Sequence, residues 1–111
     1  MNVQLGEVGT TPLFEDDHVK VWHLVLEGEQ ATPWHEHMYD YIYVVVESGN
    51  VREESLDGTS QEQSDVLGAT VFKTRDGIHR LVNLGKSRYT NIVIELKNGN
   101  HELHAENFRN S

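Results

Sequence analysis

Read for hydrophobic and polar positions, the chain is a series of short β-branched and aromatic runs broken by turn residues. "HVKVWHLVL" (18–26) ends at "EGEQ", "YDYIYVVVE" (39–47) stops at "SGN", and "VREESL" and "TSQEQ" flank Asp57-Gly58. "VLGATVFK" (66–73) runs into "TRDG", "IHRLVNL" (78–84) into "GKS", and "RYTNIVIELK" (88–97) closes at "NGN". Turn signals about every eight to twelve residues predict an all-β sandwich or barrel. Asp-Gly between two short runs predicts a hairpin. No stretch carries sustained helical periodicity with caps. The pattern predicts one domain over 1–111, with a barrel core at about 18–97 and a tail, 98–111, that reads as a short helix, a swapped edge strand or a loose end.

Both parities of "VKVWHLVL" are largely apolar, and a barrel interior covers only one of them. The other face must meet something. A second subunit, giving a homodimer, is the expected answer, with an N-terminal strand or the tail as the alternatives.

Composition narrows the partners. A chain of 111 residues, 37% hydrophobic and 24% charged, is long enough for a real core and too apolar for disorder. A net charge of −9 argues against nucleic acid or an anionic membrane as partner, but leaves room for a small anion held by local cations. With no cysteine, disulfides are excluded and any metal must take histidine and oxygen ligands. The opening "MNVQLGEVGTT" has no basic region and no signal-length apolar run, and no stretch is long enough to span a bilayer, so a cytoplasmic location is expected.

Candidate chemistry gathers in "PWHEHMYDYIYVVVE" (33–47). His35 and His37 stand at i and i+2, as do Tyr39, Tyr41 and Tyr43 behind them, and on a strand such residues share one face. Two imidazoles on one face can grip a metal ion. In a chain with seven histidines the pair also arises readily by chance.

The second half of the chain supplies the companion. Together the two stretches resemble the cupin superfamily, small β-barrels with two short metal-site motifs. The first family motif runs Gly, five residues, H-x-H, three or four residues, Glu, six residues, Gly; His35, His37 and Gly49 fit it. The second runs Gly, five residues, Pro, one residue, Gly, two residues, His, three residues, Asn; in "GATVFKTRDGIHRLVN" Gly68, His79 and Asn83 fall in register, with Thr74 in place of the proline and Asp76 in place of the glycine. Two departures stand in the first motif. Its opening glycine is displaced to Gly28, with Glu29 in the expected place, and its metal-binding glutamate falls on Tyr41 or, at the longer spacing, on Ile42.

The resemblance implies a cupin-type jelly-roll β-barrel of about eight or more strands, with one divalent transition metal ion (Fe, Zn, Ni, Mn or Cu) on His35, His37 and His79. Tyr41 would then be a phenolate ligand, a protonated partner of a metal-bound water and so a candidate catalytic group, or a barrel-lining aromatic. The substrate pocket expected from these residues comprises Trp34, Tyr43, Phe72, His23 and Glu95, though the aromatics also read as core and His23 as a hydrogen-bonded core histidine. Glu95 reads either as a general base facing the cavity or as a buried carboxylate paired with Arg80 or Arg88. Asn83 reads as a backbone tether, Arg75 as a solvated turn residue or a carboxylate clamp, and "REES" and "QEQSD" as solvated hairpin faces. Two functions remain: a metal-dependent enzyme, dioxygenase-like or an isomerase or hydrolase, acting on a small polar metabolite, and a non-catalytic sensor or storage binder. Metal should leave as pH falls below about 6.5, where an unperturbed imidazole protonates.

Overall fold

The computed structural model describes residues 4–75 and 77–97. The tail, the pair His101 and His104 in it, and Asp76 lie outside those residues. Eight strands run in chain order as β1 (Thr11–Glu15), β2 (Val19–Leu26), β3 (Tyr41–Glu47), β4 (Gly49–Ser55), β5 (Ser60–Asp65), β6 (Thr70–Lys73), β7 (His79–Asn83) and β8 (Tyr89–Leu96). All pairings are antiparallel, in a five-stranded sheet ordered β1-β2-β8-β3-β6 and a three-stranded sheet ordered β5-β4-β7. No helix occurs among the described residues.

The expected runs become strands because their alternation gives each sheet a face to bury. On β2, Trp22, Leu24 and Leu26 point inward, and on β8 Tyr89, Asn91 and Val93 do the same, so the core lies between the sheets. The Asp57-Gly58 turn joins β4 to β5, with Gly58 at φ 92, a left-handed conformation that glycine adopts without steric cost.

Three local expectations change. Strand β1 precedes the stretch that reads as barrel; it is short, wholly exposed, carries Pro12 and a register shift between Pro12 and Phe14, and so has an edge strand's weak signal. Of "VLGATVFK" only Thr70–Lys73 is strand, because Val66 to Ala69 forms a turn closed by Ala69 N–H donating to Val66 O. The histidine pair precedes β3 and is not part of a regular strand.

Directly opposed residues share a face, and one row crosses the outer side of the larger sheet from edge to edge: Phe14, Val21, Ile94, Ile42, Phe72. Every member is apolar, and the two phenylalanines at its ends are about half exposed, at 54% and 42%.

Candidate metal centre

Two loops of backbone bring the histidines together. The segment 30–35 runs antiparallel beside β7: Asn83 N–H donates to Gln30 O, Thr32 N–H to Leu81 O, and His35 and His79 exchange two N–H···O bonds of 2.9 Å each. This pairing stitches the first motif onto the second and puts the two imidazoles side by side. The turn that starts the segment has a backbone cause for its sequence. Gly28 sits so close to Lys86 that a Cβ would meet its carbonyl oxygen at 2.3 Å. The next residue, Glu29, carries φ 67, the left-handed conformation that the family pattern supplies with glycine and this chain supplies with a side chain.

His35, His37 and His79 offer ligand nitrogens within 4.8 Å of one another, and all three are buried. Their ring centroids lie 4.8 to 5.1 Å apart at steep angles, so the rings converge edge-on and do not stack. Each ring is oriented differently. His35 Nδ1–H donates to the carbonyl of Pro33 at 2.9 Å. His79 Nδ1–H donates to Glu53 Oε1 at 2.7 Å. Both bonds fix the tautomer that leaves Nε2 as a lone-pair donor. His37 has no such tether: its Nδ1 is buried without a hydrogen-bond partner, and its ring lies flat on Tyr41, centroids 3.7 Å apart and planes 11° apart.

Burial governs the protonation. Desolvation pushes His35 down to about 4 and His37 to about 3, with the neighbouring imidazoles adding to the effect. The hydrogen bond from His79 lowers Glu53 and keeps it ionised. These two histidines therefore stay neutral, the state in which an imidazole binds metal, well below their ordinary range. Three buried imidazoles, two of them oriented through Nδ1, fit a transition metal ion. The early onset of proton competition expected near 6.5 is accordingly displaced downward.

The cavity they face encloses about 490 Å³ including its open mouth. Its far wall is a polar network. Tyr89 O–H donates to Asp65 Oδ2 at 2.7 Å, Asn91 Nδ2 donates to the Tyr89 oxygen at 3.0 Å, and Gln63 Nε2 reaches both the Tyr43 hydroxyl and Asp65 Oδ1. Burial first, and then the bond to Asp65, hold the Tyr89 hydroxyl far above the usual tyrosine range. Asn91 Oδ1 is buried with no partner.

Of the pocket residues expected from the sequence, Tyr43 lines the cavity, as does Tyr41. The other four do not. Phe72 is on the outer face of β6; His23 is on the outer face of β2, opposite Thr11 and Ile92; Trp34 lies under the Arg80 guanidinium, 4.6 Å from its centre. Glu95 points inward but is taken by Trp22, whose Nε1–H donates to its Oε1 at 2.6 Å. Its expected partners are engaged elsewhere, Arg80 with Glu54 and Arg88 with Glu27. A neutral indole N–H, already inside the barrel, satisfies the carboxylate where no cation had to be buried. Asn83 is a tether, donating through Nδ2 to the carbonyls of Leu26, Glu27 and Ser87. Arg75 is exposed, and its N–H donates to Asp40 Oδ1.

The main omission from the sequence reading is the hairpin β4-β5. Glu53, Gln63 and Asp65, read as solvated, face the cavity. The only signal available was parity, since Val51 and Glu53 stand two apart on one strand and Gln63 and Asp65 on the next.

The fold has close counterparts among solved structures. A cupin domain from Bordetella pertussis Tohama I matches with a TM-score of 0.70 at 22% identity, covering 83% of this chain and 99% of that one. The chain has the cupin fold. A cupin superfamily protein from Desulfitobacterium hafniense matches at TM-score 0.60 and 18% identity over 86% of this chain and 83% of its own. A cupin of the double-stranded β-helix type from Methanocaldococcus jannaschii matches at TM-score 0.60 and 15% identity over 86% of this chain and 89% of its own. No protein-family model and no curated protein matches this sequence. What unites this chain with those structures is therefore its backbone, and its chemistry must be read from its own side chains.

Proposed function

We propose that this cupin binds one divalent transition metal ion on His35, His37 and His79 and uses it to hold and transform a small polar metabolite. The observation that carries the reading is the convergence of three buried imidazoles of which two have Nδ1 committed elsewhere. A bound ion supplies Lewis acidity and, for Fe or Cu, redox chemistry at coordination positions the protein does not fill. The chain's own residues do the rest. Tyr41 sets the plane of His37 by stacking, while Leu24, Leu81 and Val93 keep the wall beside the histidines dry. Lys73 puts a cationic group in the cavity lining, suited to a carboxylate or carbonyl oxygen. The cavity, about 490 Å³ with its open mouth included, suits a small ligand.

A second reading, a non-catalytic binder, is favoured by one observation. Both carboxylates lining the cavity are already engaged, Glu53 by His79 and Asp65 by Tyr89 and Gln63. Neither is free to act as a general base. Metal analysis with electron paramagnetic resonance on protein purified without chelators, followed by a metabolite thermal-shift screen, separates the readings. Stoichiometric iron or copper with turnover of a shifting metabolite supports the enzyme. Zinc or no metal, with a ligand that shifts melting without being consumed, supports the binder, and no metal at all sinks the metal-site reading.

We also propose that the apolar row from Phe14 to Phe72 meets a second copy. On a chain of net charge −9 this uncharged row is where two copies approach with least repulsion. Light scattering at micromolar concentration tests it: a dimer that dissociates in Phe72→Asp is expected, and a wild-type monomer overturns it.

A further inference from the structure

Glu53 is the residue that the sequence least recommends and the cavity most involves. It belongs to a polar hairpin, yet its Oε1 accepts from His79 Nδ1 at 2.7 Å, and its Oε2 lies 3.7 Å from Lys73 Nζ. Its side chain is 26% exposed and lines the cavity. The histidines differ in what holds them: His35 has a neutral carbonyl, His37 an aromatic face, and only His79 an anion.

The difference matters because of what the histidine cluster lacks. The family pattern includes a carboxylate among the ligands, and here its place falls on Tyr41, stacked on His37. Three neutral imidazoles leave the whole charge of a dication uncompensated in a desolvated site, which weakens binding. A carboxylate bonded to the far nitrogen of a ligand imidazole fixes the tautomer, raises the basicity of the near nitrogen, and returns negative charge to the site through the ring.

We propose that Glu53 is the positioning residue of the centre: it holds His79 as the Nδ1–H tautomer and supplies from β4 the negative charge missing from the ligand set. The inference rests on the metal-site reading for its second half, while the first half concerns His79 alone. Lys73 is then a brake, since a cation beside the carboxylate withdraws part of that charge.

The test has two arms on the full chain. In the metal-free protein, long-range ¹H–¹⁵N spectra of the histidine rings report the tautomer of His79. Wild type and Glu53→Gln, which keeps an acceptor oxygen, should both show Nδ1–H. Glu53→Ala should show a mixture or the Nε2–H form. In the second arm, Zn²⁺ affinity is measured by competition with a chromophoric chelator. Glu53→Ala should bind about 10–100-fold more weakly, the range typical for loss of such a partner. Glu53→Gln should fall between, because it keeps the bond and loses the charge. Lys73→Met should bind a few-fold more tightly than wild type, a sign that a merely structural role for Glu53 does not produce. Glu54→Gln, whose carboxylate contacts Arg52 and Arg80, should leave affinity unchanged.

Tautomer retention in Glu53→Ala overturns the proposal, and so does equal Zn²⁺ affinity in wild type and both Glu53 variants. Failure of the metal reading looks different: wild type itself binds no Zn²⁺, and Glu53 is then judged on the tautomer arm alone. Glu53→Gln is close in shape to the native residue, so the intermediate affinity it predicts is tested even where Glu53→Ala folds poorly.

Discussion

The two ends of the cavity are built on opposite principles. At the histidine end, polar atoms are held apart from one another: His35 and His79 are anchored through Nδ1, and His37 lies flat against Tyr41. At the Asp65 end, polar atoms are spent on each other: one carboxylate, two phenols and two carboxamides form one connected network. Burial then has opposite consequences. It keeps His35 and His37 neutral, and it keeps the proton on Tyr89. One end is poised to accept a cation, and the other is finished without a ligand except for Asn91 Oδ1. The first should fail by losing metal, the second by losing stability.

The sharpest break is at the histidines. His35→Ala, His37→Ala or His79→Ala removes a direct ligand and should leave the protein without metal after dialysis. Tyr41→Phe keeps the ring that stacks on His37 and should retain most of the metal. A Tyr41 variant as empty as the histidine variants would make its hydroxyl a ligand.

Acid is the next largest perturbation. In the unfolded chain both histidines protonate near 6.5, while in the fold they resist to about 4 and 3. Below 6.5 the unfolded state therefore binds protons that the folded state does not, and stability falls with pH. The histidine contribution is intact above about 6.5 and is lost through the window down to the folded values. By pH 5 each histidine should have removed about 2 kcal/mol from the metal-free protein. Urea midpoints across pH 5 to 7.5 measure it. In His37→Ala the slope below 6.5 should be shallower, and an unchanged slope would contradict the assignment.

Tyr89→Phe attacks the other end. It leaves Asp65 short of a donor and Asn91 Nδ2 short of an acceptor, in a site where Tyr89 is fully buried. A loss of about 1–3 kcal/mol is expected for such unsatisfied groups. Metal affinity should stay at the wild-type value, and a coupled loss of metal would mean the two ends are one unit.

The smallest effect is a gain. Glu29→Gly relieves a left-handed side chain that costs roughly 1–2 kcal/mol, against a glycine entropy cost of about 0.5–1 kcal/mol. A net stabilisation of about 0.5–1 kcal/mol should appear as a raised urea midpoint. Destabilisation would show that the Glu29 side chain contributes a contact that outweighs its backbone.

The sequence by itself determined the strands, the Asp57-Gly58 hairpin and the histidine triad. Period-two alternation fixes which residues of β2, β3 and β8 face inward, and motif spacing fixes which histidines can meet. It could not find β1, whose five exposed residues bury no face, nor the turn that shortens β6. Tertiary structure alone decided the rest. Glu53 and Asp65 sit on strands whose inward face is polar, and a polar inward face is indistinguishable along the chain from a solvated one. Trp22 and Glu95 are 73 residues apart, and only the pairing of β2 with β8 makes one the partner of the other. Tyr41 shares a parity with the histidines, but whether it ligates or stacks depends on a loop that leaves the strand before β3 begins. Periodicity reports which way a side chain points; what it meets there is set by chain segments that periodicity does not connect.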